Sequence, residues 1–330
     1  MRIVLDAMGS DNYPAPEVQA AVEAAVEFGD EILLVGQKDL LEPMLKEMNV
    51  NNAPVKIIHA PEVFKMTDKL TKNTLQKEEN SMGVGMNMLA NGEADAFVTV
   101  GNTGGAMAIG LARLKRIKGV KRPALTVVLP VENGQCVVSD IGANADCKPK
   151  FLLQFAIMSS VYSQKVLNIK NPRVGLLSNG EEETKGNELV KDTYPLLAKS
   201  KLNFIGNVAG KADFGGAADV VITDGFTGNV LVKASEALAK LLFDTLRTKL
   251  KSSPIRMLGA SLSKSAFVEL KEMLDPDEVG AVPLLGLNGL VFVGHGRSNS
   301  KAIVSAIRNA RIAVEKNLMA SLRESIAEQL

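Results

Sequence analysis

Six stretches of this chain combine glycine with short polar or acidic side chains in a pattern that could grip an anion. They are Asp6-Ala7-Met8-Gly9-Ser10-Asp11, Gly101-Asn102-Thr103-Gly104-Gly105, Asp140-Ile141-Gly142-Ala143-Asn144-Ala145-Asp146, Ser178-Asn179-Gly180-Glu181-Glu182-Glu183-Thr184-Lys185-Gly186-Asn187, Thr223-Asp224-Gly225-Phe226-Thr227-Gly228-Asn229 and Gly294-His295-Gly296-Arg297-Ser298-Asn299. Glycine lets backbone N–H groups approach a ligand closely, and a helix starting just afterwards adds its positive end. Any one of these is equally a turn between a strand and a helix, where glycine and asparagine are common. Six sharing the character point to converging loops around a phosphate. No Gly-x-x-x-x-Gly-Lys-Ser/Thr loop occurs, and no Gly-x-Gly-x-x-Gly follows the first strand, so the anion is free or transferred rather than part of a held nucleotide.

The charged groups in these stretches each carry two readings. Lys185 suits an oxyanion or phosphate, or is a lysine at a helix start; Glu181, Glu182 and Glu183 read as helix-start acids that match the helix dipole. Asp6 and Asp224 are placed to orient a hydroxyl, a lysine or a divalent metal, or to cap a helix. His295, between two glycines after an apolar run, is either a proton-transfer group or a structural histidine. Arg113, Lys115, Arg116, Lys118, Lys121 and Arg122 fall within ten residues, and no Asp or Glu occurs from Ala96 to Val131. That cluster is either a solvated helix end or a docking face for an acidic partner.

Composition removes other chemistries. The 330 residues carry 38 basic and 37 acidic side chains, a net charge of +1, which argues against a dedicated nucleic-acid binder. Two cysteines, Cys136 and Cys147, build neither a disulfide framework nor a four-cysteine zinc site, and His59 and His295 are far apart. No bound metal or redox cofactor is expected. The chain begins as a strand, Met1 to Asp6, with no leading charged and apolar regions, so a cytoplasmic protein is expected. Ala281 to Val293 is too short and too glycine-rich to span a bilayer.

The elements that must position the loops alternate. Short Val-, Ile- and Leu-rich runs at Arg2–Asp6, Glu31–Val35, Val55–His59, Ala94–Val100, Ala124–Leu129, Gln135–Asp140, Arg173–Ser178, Asn203–Ile205, Ala218–Thr223 and Leu290–Gly294 read as strands. Helical patterns occupy Pro16–Phe28, Lys38–Met48, Thr67–Asn91, Gly104–Lys118, Lys150–Val166, Thr184–Lys199, Thr227–Leu250, Ile255–Met273 and Ser298–Glu328. Apolar strands separated by helical crossovers predict a doubly wound, mostly parallel α/β sheet. At about 150 residues per domain the length fits one large α/β unit over 1–330, with two lobes sharing a cleft as the other option. From about 227 to 285 the pattern is helical with no convincing strand, which predicts a segment protruding from the sheet.

In that order, Asp6-Ala7-Met8-Gly9, Gly101-Asn102-Thr103-Gly104, Gly142-Ala143-Asn144, Gly180-Glu181-Glu182-Glu183-Thr184-Lys185-Gly186-Asn187, Thr223-Asp224-Gly225-Phe226-Thr227-Gly228-Asn229 and His295-Gly296-Arg297-Ser298-Asn299 resemble the bacterial acyl-ACP:phosphate acyltransferase family. Arg116-Ile117-Lys118-Gly119 and Val161-Tyr162-Ser163-Gln164 support the likeness, which runs from Met1 to about Arg311. Two segments depart from it: Gly9-Ser10-Asp11-Asn12 stands where the family usually has Gly-Gly-Asp-His, and Leu75-Gln76-Lys77-Glu78-Glu79-Asn80 replaces a stretch rich in arginine and lysine.

The resemblance implies an isocitrate/isopropylmalate dehydrogenase-like scaffold, relation to phosphate acetyltransferases, and a homodimer without a cofactor. It implies transfer of a fatty acyl group from acyl carrier protein (ACP) to inorganic phosphate. The acyl phosphate then supplies a membrane glycerol-3-phosphate acyltransferase, with peripheral membrane association. On that basis Asn102, Thr103 and Gly104 are expected to hold phosphate and Lys185 to bridge phosphate and oxyanion. Asn229 would donate to the carbonyl, Asp224 and Asn187 would orient these groups, and Asp6, Asn144 and His295 would support them. The helical segment, with Ile255, Met257, Leu258, Leu262, Phe267, Leu270 and Leu274, would serve dimer or membrane contact, although core packing is the commoner origin of such a stripe. A short-chain phosphate acetyl- or butyryltransferase using acyl-CoA, and a non-catalytic ACP-binding scaffold, remain as alternatives.

Overall fold

The computed structural model describes residues 1–48, 53–68, 71, 79–132, 134–210 and 215–329. In chain order, β1 (Arg2–Asp6), α1 (Ala15–Phe28), β2 (Glu31–Gly36), α2 (Lys38–Glu47) and β3 (Val55–His59) come first. They are followed by α3 (Ser81–Ala90), β4 (Ala96–Thr99), α4 (Thr103–Arg113), β5 (Ala124–Val131), β6 (Gly134–Ser139) and α5 (Pro149–Val166). The remainder is β7 (Arg173–Leu177), α6 (Glu188–Ala198), β8 (Asn203–Val208), β9 (Val220–Ile222), α7 (Gly225–Leu250), α8 (Pro254–Leu262), α9 (Lys264–Leu274), α10 (Pro276–Val279), β10 (Ala281–Leu285), β11 (Val291–Gly294), α11 (Ser300–Glu315) and α12 (Leu318–Gln329).

The strands form one sheet in the order β3-β2-β1-β4-β11-β10-β5-β6-β9-β7-β8. Seven of its ten pairings are parallel, as an alternation of apolar strands and helices requires. β4 and β9 are buried along their whole length, and helices cover both faces. α5 carries the broadest buried face, with Leu152, Phe155, Ala156, Ile157 and Met158 in the main core.

The three antiparallel pairings sit together in the middle, at β11-β10, β10-β5 and β5-β6, and they reverse the sheet. β3, β2, β1, β4 and β11 run one way; β6, β9, β7 and β8 run the other. The registers also slide one half along the other. Gly294 faces Ala281, Leu285 faces Ala124, and Thr126 faces Ser139. Four residues down β10 and two back up β5 leave Ser139 two residues, about 7 Å, from the level of Gly294. Thr99 faces Val293, and Ser139 and Leu176 both face Ile222, so the C-terminal ends of β4, β11, β6, β7 and β9 share one narrow band across the waist. The expectation of six converging exits therefore changes: three loops leave this band in one direction and three in the other.

β10 has no counterpart among the strands that the apolar runs predict. It lies inside the segment read as helical, and Pro283 within it argues against a central strand because proline cannot donate to a ladder. It is nevertheless central. Pro283 is opposite Phe292 on β11, and pairing to β5 involves only the next two residues, Leu284 and Leu285.

Helix boundaries differ as well. Thr67 and Asp68 are not helical and the helix there begins at Ser81, residues 69–70 and 72–78 lying outside the described set. α4 stops at Arg113, so Lys115 to Arg122 form a loop rather than a helix end. α6 begins at Glu188, which leaves Glu181–Glu183 and Lys185 in the preceding loop and makes Glu188 the first-turn acid. Ser263 divides the expected 255–273 helix, and Lys316-Asn317, with Asn317 at φ 51°, divides the last one. Beyond Val232, α7 buries no side chain, and α8 and α9 bury none. This stretch exposes Leu238, Leu241, Leu242, Leu258 and Leu262, with Ile255 reaching 83%.

Candidate active site

The first set of exits is built around Asp6, at the end of β1. Its side chain is buried, and Oδ2 accepts from Thr99 Oγ1 at 2.7 Å while Oδ1 accepts from Met8 N at 3.1 Å. Thr99 Oγ1 in turn accepts from Gly101 N at 3.0 Å, so one carboxylate ties the β1 exit to the β4 exit. Burial raises the Asp6 pKa, and hydrogen bonds from Ser81, Thr99 and Met8 oppose the shift. Close approach requires glycine here: a Cβ on Gly9 would stand 2.9 Å from Gly101 N and 3.2 Å from Asp6 Oδ2. Behind this loop Glu17, on the first turn of α1, is fully buried and accepts from Ser10 N at 2.8 Å. Burial pushes its pKa up to about 7, countered by Ser10 and reinforced by the charge of Asp6.

Asn102 caps α4: its Oδ1 accepts from Gly105 N at 2.9 Å, and its Nδ2 donates to Met66 O at 2.9 Å. Both ends of the amide are thus engaged. The amides of Thr103 and Gly104, at the first two helical positions, are those a helix start cannot satisfy internally and are the natural anion donors of this loop. The β11 exit closes the set through Asp11 N, which donates to Gly296 O at 2.7 Å. His295 lies at the surface, where partial burial and then Arg297 and Lys233 hold its pKa below the ordinary value. Lys233 belongs to α7, so that helix runs from the second set of exits past the first.

The second set is organised by Asp140, fully buried just after β6. Its Oδ1 accepts from Leu125 N, Ala143 N and Gly142 N at 2.9, 3.1 and 3.3 Å, and Oδ2 from Asn144 N and Nδ2 at 2.7 and 2.9 Å. Burial still raises its pKa against these bonds. Asn144 also donates to Pro123 O at 2.7 Å, and its carbonyl accepts from Gly225 N at 2.8 Å, which fixes the start of α7 on the β6 exit. A Cβ on Gly228 would lie 2.0 Å from Asp140 O, so no side chain fits there.

Asp224 caps α7, with Oδ1 accepting from Thr227 N and Oδ2 from Thr227 Oγ1, both at 2.8 Å. Asn187 caps α6 through Val190 N at 3.0 Å, and Asn299 caps α11 through Ala302 N at 2.9 Å. The polar residues of these loops therefore divide in two. Asn102, Asn187, Asp224 and Asn144 hold helix starts and loops in place. Thr103, Lys185 and Asn229 have side chains with no hydrogen-bond or ion-pair partner among the described residues. Lys185 and Asn229 are exposed, on the exits of adjacent strands β7 and β9.

Thr99 and Glu17 lie outside the six stretches, and Asp140 lies in one of them without a role assigned from sequence. Thr99 ends a strand next to a glycine loop and Glu17 is a first-turn acid, so each had an ordinary local explanation; only the contacts across 93 and 7 residues reveal them. Among the described residues no group of three His, Cys, Asp or Glu side chains could hold a metal ion, and no helix is long and apolar enough to cross a membrane.

The architecture is an α/β fold that solved phosphotransacetylases and a dehydrogenase share. EutD phosphotransacetylase from Staphylococcus aureus superposes with a TM-score of 0.60 at 15% identity over 94% of each chain. A putative 4-hydroxythreonine-4-phosphate dehydrogenase from Salmonella typhimurium gives 0.56 at 11% identity, over 94% of this chain and 98% of that one. These likenesses concern the fold. Residues 1–321 match the family described as Fatty acid synthesis protein. The phosphate acyltransferase of Elusimicrobium minutum is 44% identical over 99% of this chain and 96% of that protein, and one from Desulfitobacterium hafniense is 45% identical over 99% and 98%. The chain belongs to the phosphate acyltransferase family and is an enzyme of the acyltransferase class.

Proposed function

We propose that this enzyme transfers a fatty acyl group from acyl-ACP to inorganic phosphate, releasing free ACP thiol and acyl phosphate for phosphatidic acid synthesis. The observation that carries the assignment is the division of side chains: in loops where asparagine and aspartate are consumed as caps, Thr103, Lys185 and Asn229 have no side-chain partner among the described residues. Phosphate, already largely dianionic at neutral pH, attacks the thioester carbonyl through one oxygen. A C–O bond forms, the carbonyl oxygen gathers charge, and the C–S bond then breaks to expel thiolate. Neither a cysteine nucleophile nor a strong base is required. The protein's part is to hold the reactants in line and to stabilise the oxyanion. The amides of Thr103 and Gly104 bind phosphate with the Thr103 hydroxyl, Lys185 bridges phosphate and oxyanion, and Asn229 donates to the carbonyl. Asp224 fixes the start of the helix that carries Asn229, Asn187 fixes the helix start that follows the Lys185 loop, and Asp6, Asn144 and His295 support the loops.

The exposed apolar faces of α7, α8 and α9 suit a homodimer contact and peripheral attachment to the inner face of the membrane, near a glycerol-3-phosphate acyltransferase that takes the product. The deciding assay incubates the enzyme with long-chain acyl-ACP and follows free thiol with and without phosphate. Phosphate-dependent release supports the reading. Release from acetyl-CoA or butyryl-CoA alone identifies a short-chain phosphate acyltransferase, and binding of ACP without release identifies a scaffold.

A further inference from the structure

The loop between α4 and β5 forms an open, solvent-facing hollow of about 420 Å³ lined by Leu111, Ile117 and Val120 together with Lys115, Arg116, Lys118 and Lys121. That volume is within the range of small-molecule sites, roughly 300–1,000 Å³. The loop is built rather than loose. Asn288 N donates to Lys115 O and Ile117 N to Gly286 O, each at 3.0 Å, and Ile117 and Val120 are buried anchors. The buried Gln154 clamps the far side, accepting from Lys121 N at 2.8 Å and donating to Gly119 O at 3.0 Å. Arg116 Nη1 donates to Lys121 O. A turn closed by Val120 N on Ile117 O, with Gly119 at φ 100°, leaves Lys118 at its exposed corner.

Lys115, Lys118, Lys121 and Arg122 have no carboxylate partner among the described residues, and no acid occurs in sequence from Ala96 to Val131. A rigid concave surface that keeps several cations unneutralised around an apolar floor is complementary to a phosphate on an organic stem. The unpaired charge also exceeds what one phosphate needs, which suits an acidic protein carrying that group and steers its approach. The loop is joined to the transfer machinery: Asn144 grips Pro123 O, next to Arg122, and holds Gly225 N at the start of the helix that bears Asn229.

We propose that this cavity receives the phosphodiester of the pantetheine arm of the acyl-carrying protein, with Lys118 and Lys121 as its contacts. The inference rests on the carrier reading above and adds a site to it. The test pairs the wild-type enzyme with a Lys118→Ala, Lys121→Ala variant; both side chains are exposed, and the backbone atoms that Gln154 holds are retained. The Michaelis constant for acyl carrier is expected to rise about tenfold or more, with that for phosphate unchanged. In titration calorimetry, phosphopantetheine is expected to bind the wild type, and both dephosphorylated pantetheine and the double variant are expected to fail. Equal binding of the two probes, or an unchanged constant for acyl carrier while wild type turns it over, overturns the cavity assignment alone. If wild type releases no carrier thiol with phosphate, the carrier reading itself fails. Lysine dependence seen only with acyl-CoA would move the site from the carrier to coenzyme A and overturn the assignment to a protein partner.

Discussion

Glu17 offers a stability test whose size follows from one buried group. Its carboxyl is 0% exposed and its pKa stands at about 7 against an ordinary 4.5. The folded protein binds this proton more tightly than the unfolded chain does. The stability it contributes is therefore fully present below about pH 4.5 and lost as pH rises through about 7. At about 1.36 kcal/mol per pKa unit, the complete loss is roughly 3 kcal/mol, of which about 2.5 kcal/mol falls between pH 5 and pH 8. Glu17→Gln keeps an acceptor for Ser10 N and cannot ionise, so it removes this loss. Unfolding entropy of about 2.1 cal/mol/K per residue makes 1 kcal/mol worth roughly 1.5 °C in a chain of this size. Thermal melts of wild type and Glu17→Gln are thus expected to diverge by about 3–4 °C in favour of the variant on going from pH 5 to pH 8. Comparing the two proteins at each pH cancels the titration of Asp6 and Asp140, which are also raised by burial. A difference that stays constant with pH, or that shrinks as pH rises, would refute the placement of a titrating carboxyl behind the first loop.

Three further outcomes are expected. Lys185→Ala and Asn229→Ala each lower turnover about 100- to 1,000-fold with melting temperatures unchanged, because both side chains are exposed and hold nothing in the fold; a folded double variant with normal acyl phosphate production would sink their assignment. Gly228→Ala forces a methyl group into a carbonyl at 2.0 Å and is expected to cost about 3 kcal/mol or more, so that melting temperature and turnover fall together. A variant that melts within a degree of wild type would contradict that close approach. Thr99→Val deprives Asp6 of a donor and Gly101 N of an acceptor, at about 1–3 kcal/mol for each group left unpaired. Calorimetry should show the lowered stability, and the phosphate Michaelis constant should rise as the β4 exit loosens.

Much of this was written locally. β1, β2, β3 and β7 appear within a residue of where apolar runs bounded by glycine and polar residues place them. The six loops also lie where expected, each directly after a strand. What single-residue reading could not separate was capping from chemistry. An asparagine or aspartate between a strand and a helix is the signature of an N-cap and also of a ligand contact. The sequence places Asn102 and Asn187 for chemistry and Asp224 for chemistry or capping; in the structure all three are caps, with their oxygens bound to amides three residues on. The distinction rests on where each side chain is already hydrogen-bonded.

The sequence by itself determined the alternating α/β order, the glycine-rich exits, the helical pattern that follows Thr227 and the acid-free basic run, because each depends on residue type and short-range spacing. Tertiary structure alone decided how those parts meet. β10, with a proline that speaks against a strand, becomes one only through pairing with β11 and β5. Those pairings reverse the sheet and slide its halves until two opposed sets of strand ends share one band. Asp140 and Thr99 become linchpins because five donors and a distant carboxylate find them in space. Contacts between residues far apart in sequence leave no periodic trace in it, so their outcome is visible only once the chain has folded.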